Sequence, residues 1–183
     1  MSASGSGIPY PIPQEGLFRR HANGALVACN AVVTGDVHLG RDVNVWFHAM
    51  IRGDCSRITV GERTNIQDGT LIHTDDGLDL EIGPECTIGH MAMIHGVHLG
   101  PRCLVGMNAV LLGGSRIGEG SVVAAGAVVR EGMEVPPGSL VVGVPARIVR
   151  PVGEREREFL RFSVPHYLEL ARRYLPPGER GEA

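Results

Sequence analysis

Three of the eight histidines, His73, His90 and His95, fall within one short stretch of the chain. That stretch is rich in small polar residues: Asn65, Gln67 and Asp68 precede the first histidine, and Thr74, Asp75 and Asp76 follow it. Imidazole nitrogens bind divalent zinc at about 2.0–2.1 Å. Three of them with an open fourth position make a catalytic site, whereas structural zinc sites are closed and cysteine-rich. The histidines can act together only if the elements that carry them bring them to one point.

Those elements are set by a repeat. From Leu99 the chain divides into sixes, each opening on an aliphatic residue: Leu99, Val105, Leu111, Ile117, Val123, Val129, Val135, Val141. The second residue is often Gly, and the fifth is usually small, as at Cys103, Ala109, Ser115, Ser121 and Ala127. The same frame runs upstream through Leu39, Val45, Ile51, then Val60, Ile66, Ile72, then Ile82, Ile88, Ile94. A period of six is neither a helical 3.6 nor a plain alternation. It describes a coil with three flat sides, each turning one aliphatic side chain inward. Such a coil resembles the left-handed parallel β-helix of hexapeptide-repeat proteins, which implies an all-β, single-stranded left-handed parallel β-helix; a C-terminal α-helix is expected to pack alongside. Coil starts at Leu39, Val60, Ile82, Leu99, Ile117 and Val135 imply insertions near Ser56–Ile58 and Thr74–Glu81 and a deletion near His98. Cys55, Cys86 and Cys103 all count to the small fifth position, so they are expected to pack as small hydrophobes.

The frame turns spacing into geometry. Arg52, His73, His95 and Leu112 share one column, and Phe47, Asp68, His90 and Met107 share another at a different corner. Neighbouring coils are about 4.8 Å apart, so His73 and His95 can reach one metal. His90 lies up to about 16 Å away along an extended side, too far to join them within one chain. Three prisms packed about a three-fold axis bring His90 of one chain to His73 and His95 of the next, and Arg52 to the neighbour's Asp68. A homotrimer is therefore expected.

Composition bounds the rest. All 17 basic residues are Arg and the net charge is -3, with no basic block, so nucleic acid is not an expected partner. No run of 18 apolar residues and no charged-then-apolar leader occurs, which predicts no membrane association and a cytoplasmic protein. Residues 1–16 read as an N-terminal arm, 17–150 as the β-helix carrying the interfacial site, and 151–183 as a helical segment. In that segment Glu154–Phe162 reads as one helix, and Pro165 as the first turn of a second that bears Tyr167, Leu170, Ala171 and Tyr174.

The segments Arg52-Gly53-Asp54, Asn65-Ile66-Gln67-Asp68, His73, His90 and His95-Gly96 resemble the γ-class carbonic anhydrase family of hexapeptide-repeat proteins. The resemblance covers nearly the whole chain. It implies a trimer with zinc, or iron or cobalt, at each subunit interface and His73, His90 and His95 as ligands. It also implies Gln67 and Asn65 orienting water and bicarbonate, Arg52 with Asp68 bridging subunits, Asp54 supporting the loop, and Tyr167 near the mouth of the site. The implied activity is reversible hydration of carbon dioxide to bicarbonate. The chain departs from the archetype at two places: Cys55 stands where that enzyme has a Glu, and the Thr74–Glu81 loop is short, with Asp75 and Asp76 in place of a second Glu. Slow proton export is the expectation. Rival readings are a coenzyme A-dependent acyltransferase or thioesterase on the same repeat, or a non-catalytic metal-binding trimer.

Overall fold

The structure, a computed structural model, describes residues 11–180. The chain winds into a left-handed parallel β-helix of about six turns, followed by one long C-terminal helix. Most sides of each coil are strands of two or three residues joined by tight turns. The repeat frame holds coil by coil: Leu39 pairs with Val60, Val60 with Ile82, Ile82 with Leu99, Leu99 with Ile117, and Ile117 with Val135.

Three aliphatic ladders meet in the centre. The first face contributes Val45, Ile66, Ile88, Val105, Val123 and Val141; the second Ile51, Ile72, Ile94, Leu111 and Val129; the third Val60, Ile82, Leu99, Ile117 and Val135. All are buried. Each such side chain contributes roughly 1.5–3 kcal/mol of transfer free energy, and this explains how a prism with so few aromatics holds together. The strand Met50–Val60 turns the corner between the second and third faces and joins them into one ten-stranded sheet.

The corner between the third and first faces carries the fifth-position residues. Thr64 Oγ1 donates to the Gly83 carbonyl at 2.9 Å and Ser121 Oγ to that of Pro136 at 3.0 Å. Between them, Cys86 and Cys103 place their thiols 3.2 Å and 3.1 Å from the carbonyls of Gly100 and Gly118. These two buried cysteines extend a hydroxyl column as weak donors. Cys55 does not match its expected inward position: it is exposed. Gly53 still pairs with Gly35, but the next in-register pair is Val37 with Ile58, so Asp54–Arg57 form an insertion that suspends the inward phase.

The C-terminal segment is one continuous helix, α1 (Glu154–Arg173), with Pro165 inside it. Two helices were expected because proline removes a helical hydrogen bond. The buried stripe Val164, Leu168, Ala171 and Leu175 continues past the proline and docks on the first face. It packs there with Phe18, Leu26 and Trp46, and this burial outweighs the local preference. Residues 11–16 form no strand or helix, and the rest of the expected arm lies outside the described residues. No helix among the described residues is long and apolar enough to cross a membrane.

Candidate metal centre

His73 and His95 stand side by side on parallel strands, in register with each other and with Arg52 below. Their facing nitrogens, His73 Nδ1 and His95 Nε2, are 3.3 Å apart. Two ligand nitrogens at 2.0–2.1 Å from a common tetrahedral ion would be about 3.3–3.4 Å apart. The donor pair therefore fits a divalent metal. The other nitrogen of His73, Nε2, lies 3.1 Å from Asp54 Oδ1. A carboxylate there fixes the ring with its proton on Nε2 and leaves the Nδ1 lone pair free.

Arg52 binds Asp54 from the other side at 2.5 Å, and its guanidinium holds the Asp54 carboxyl below the usual aspartate range. Asp54 thus stays ionised while it orients His73. The loop that follows His73 folds back over this corner. Thr74 Oγ1 donates to the Leu78 carbonyl, Ser56 Oγ accepts the Gly77 N–H at 2.8 Å, and Asp75 Oδ1 comes within 3.7 Å of His95 Nε2. A Cβ at Gly96 would collide with the Leu78 side chain, so glycine after His95 is what lets the loop sit there. The thiol of Cys55 joins Asp54 and His73 in a group whose ligand atoms lie within 4.8 Å of one another. Partial desolvation by the surrounding loop and the charges of Asp54 and Asp76 raise its pKa, so the thiol is held protonated.

His90 stands apart, at the corner between the first and second faces. Its Nδ1 lies 2.7 Å from Asp68 Oδ2, one coil below, and its Nε2 lies 3.2 Å from the Tyr167 hydroxyl on α1. With the Nδ1 proton donated to Asp68, Nε2 carries the lone pair and accepts from Tyr167. Burial and the charge of Asp68 raise the Tyr167 pKa, so the hydroxyl keeps its proton and remains a donor.

Asn65 and Gln67 are buried beneath the helix. Gln67 Nε2 donates to Asn65 Oδ1 at 3.0 Å, Asn65 Nδ2 to Thr87 Oγ1 at 2.9 Å, and Thr87 Oγ1 meets Ser163 Oγ of α1 at 2.7 Å. This chain ties the face next to His90 to the helix that supplies Tyr167.

Within one chain, then, His73, His95, Asp54 and Arg52 form one group, and His90, Asp68 and Tyr167 another. The sequence names both carboxylates, Asp54 and Asp68, but not their contacts with His73 and His90. For Asp68 the signal is present, since it occupies the same column as His90 one coil earlier.

Histidines backed by carboxylates on two edges of a six-residue coil place the protein among the hexapeptide-repeat solenoids. The family model described as bacterial transferase hexapeptide (six repeats) matches residues 96–131. Protein YrdA of Escherichia coli K12 is 35% identical over 92% of this chain and 95% of its own length. Gamma carbonic anhydrase 1, mitochondrial, of Arabidopsis thaliana is 38% identical over 80% of this chain and 56% of its own length. The crystal structure of a hexapeptide transferase family protein from Anaplasma phagocytophilum superposes with a TM-score of 0.73 at 37% identity, covering 81% of this chain and 92% of that one. The chain belongs to the γ-class carbonic anhydrase-like family of hexapeptide-repeat proteins.

Proposed function

We propose that the protein hydrates carbon dioxide reversibly to bicarbonate at a metal site shared between adjacent copies of a homotrimer. The observation that carries this reading is the 3.3 Å pair His73 Nδ1 and His95 Nε2 on one edge of the second face, with a lone-pair nitrogen of His90 on the opposite edge.

The face between those edges supports the trimer. Its outward column Val32, Met50, Leu71 and Met93 is in register and exposed, with Met91 and Met107 exposed beside it. An apolar stripe of this kind on a soluble prism marks a contact surface. Three such faces turned to a common axis set each chain's His90 edge against the next chain's His73 and His95 edge.

His73, His95 and the neighbour's His90 would hold the metal, with zinc, iron or cobalt as candidates. A bound divalent metal supplies Lewis acidity that brings the pKa of water to about 7, the value known for carbonic anhydrase itself. Asp54 and Asp68 hold the ligand rings in one tautomer and orientation. Gln67, its amide held by Asn65, positions the oxygen of water and of bicarbonate. Tyr167 stands at the mouth of the site, and Arg52 with the neighbour's Asp68 ties subunits together. Cys55 stands where the archetype has a Glu to take the proton outward. Asp75 and Asp76 are the nearest carboxylates in the short loop, so proton export limits turnover.

Stopped-flow hydration on metal-analysed protein tests this. We expect a rate above the buffer blank, with kcat rising with imidazole-type buffer while kcat/KM stays flat. Light scattering is expected to give about three times the 19.5 kDa chain mass. A metal-loaded trimer that turns over acetyl-CoA but not carbon dioxide would replace this reading with acyl transfer or thioester hydrolysis. A metal-loaded trimer with neither activity would be a metal-binding assembly only.

A further inference from the structure

Asn65 and Gln67 flank the inward Ile66, so both project outward from the first face. Asn65 is fully buried there and Gln67 is 5% exposed. Thr87, the in-register neighbour of Asn65 one coil up, and Ser163 of α1 are buried beside them. Each amide has a nitrogen that only donates and an oxygen that only accepts, so its partners decide which way round it sits. The fixed points of this cluster are carbonyls, which accept. Ser163 Oγ lies 3.5 Å from the Leu160 carbonyl one turn back along the helix, and Asn65 Nδ2 lies 3.4 Å from the Cys86 carbonyl. Ser163 gives its proton to Leu160 and so accepts from Thr87 at 2.7 Å. Thr87 in turn accepts from Asn65 Nδ2 at 2.9 Å. Asn65 Oδ1 is left to face Gln67, which offers its Nε2 at 3.0 Å. The donated protons all run one way, from Gln67 towards the helix.

The coil below fills the same place with a group that can only donate. Asn44 pairs in register with Asn65, and the indole Nε1 of Trp46 donates to Asn44 Oδ1 at 2.8 Å, as Gln67 does to Asn65. The difference is that Gln67 keeps a second group, Oε1, which accepts from no donor among the described residues. Gln67 immediately precedes Asp68, the carboxylate that holds His90, so this unused acceptor is carried on the His90 edge. An acceptor at that place takes the proton of a water or bicarbonate hydroxyl in a hydrogen bond and leaves the lone pairs of the hydroxyl oxygen free. An amide N–H there would occupy a lone pair instead.

We propose that Thr87 and Ser163 are positioning residues for the hydration reaction, which set Gln67 with its oxygen towards the substrate by fixing the direction of this hydrogen-bond chain. The role rests on the carbon dioxide reading above. Neither hydroxyl touches substrate, and both act through Asn65 and Gln67. Without the Thr87 hydroxyl, Asn65 is held only by its 3.4 Å contact with the Cys86 carbonyl. An Asn65 amide turned over would turn Gln67 over with it, and two N–H donors would then stand where an acceptor is needed.

Thr87→Val, which keeps the branched shape and removes the hydroxyl, tests this in the full-length, metal-loaded protein. Its kcat/KM for hydration is expected to fall about tenfold or more, with metal content and assembly unchanged, and Thr87→Ser is expected to restore most of the rate. Ser163→Ala is expected to lower kcat/KM about two- to tenfold. In a Gln67→Ala background Thr87→Val should add no further loss, because Thr87 acts through Gln67. Nuclear magnetic resonance supplies a readout apart from turnover: the side-chain amide signals of Gln67 are expected to move in Thr87→Val and to return in Thr87→Ser. Unmoved Gln67 signals, an unchanged kcat/KM in Thr87→Val, or the same fold-loss with and without Gln67 would overturn the proposal. Absence of hydration by the unsubstituted protein would defeat the carbon dioxide reading and this role together, whereas hydration that Thr87→Val leaves intact would defeat this role alone.

Discussion

The lower and upper halves of the solenoid share one core and differ at the corners. From Leu99 upward, coils start at Leu99, Ile117 and Val135 with an even eighteen-residue spacing. Below Leu99 the spacing is uneven, and the extra residues gather at the corner between the second and third faces, in Asp54–Arg57 and in the loop after His73. The inward ladders do not register the difference, for Ile72 and Ile94 are as buried as Leu111 and Val129. The outward columns do. Above His95 the next residue is Leu112, and above His90 it is Met107. The His73 and His95 edge takes its support from the interruptions, through Asp54 and Asp75, whereas His90 is supported by Asp68 of the next coil and by Tyr167 of the helix. The regular coils provide stiffness, and the irregular ones provide carboxylates and a flap.

Ligand replacement is the strongest way to test that division. His73→Ala and His90→Ala are each expected to weaken metal binding by more than the ~10–100-fold typical of losing a supporting residue, as read by metal analysis after dialysis. Mixing His90→Ala with His95→Ala chains is expected to restore part of the sites, since the two lesions lie on opposite sides of an interface. Failure to recover metal after subunit exchange would break the shared-site reading. The core should ignore the division altogether. Ile94→Ala in a lower coil and Leu111→Ala directly above it should each lose roughly 2–5 kcal/mol in denaturant unfolding. A markedly smaller loss in one half would show that the two halves are separate stability units. Smaller again is the effect of the supporting carboxylates. Asp54→Asn and Asp68→Asn should each cost about 10–100-fold in metal affinity, while Glu119→Gln on a regular coil should leave it unchanged.

The regular half was almost fully legible in the sequence, and the irregular half only in part. The coil starts and the two histidine columns follow from counting, because a six-residue period fixes which residues stack, and the observed pairing of His73 with His95 agrees. Counting fails inside an insertion. Cys55 was numbered into the inward position, yet it lies within Asp54–Arg57, where nothing fixes the phase. The contacts of Asp54 with His73 and of Asp75 with His95 arise from loop closure, which the period does not describe. At Pro165 a local rule was applied to a segment whose conformation is set by burial. Val164 on one side of the proline and Leu168 on the other are both buried, and that continuous contact keeps the helix whole.

The smallest effect concerns where the regular coils hand over to the helix. Glu156 reaches back to the start of α1, where its Oε2 accepts the Gly153 N–H at 2.8 Å and its Oε1 accepts from Arg150 Nη2 at 2.7 Å. The Arg150 guanidinium comes first in holding the carboxyl down, to about 2, with the Gly153 N–H adding to it. A carboxyl lowered in the folded state favours folding wherever it is ionised in both states. Its contribution is complete above the ordinary glutamate pKa of about 4.3 and disappears as pH falls through the folded value. The pair is solvent-exposed and screened, so the effect is slight and shrinks with salt. The expected outcome is a small drop in Tm for Glu156→Gln at neutral pH and low salt. The difference from the unsubstituted chain should narrow between about pH 4 and pH 2. A difference that stays constant down to pH 2 would assign the effect to packing rather than to the charge. A difference that widens on acidification would contradict the sign of the shift.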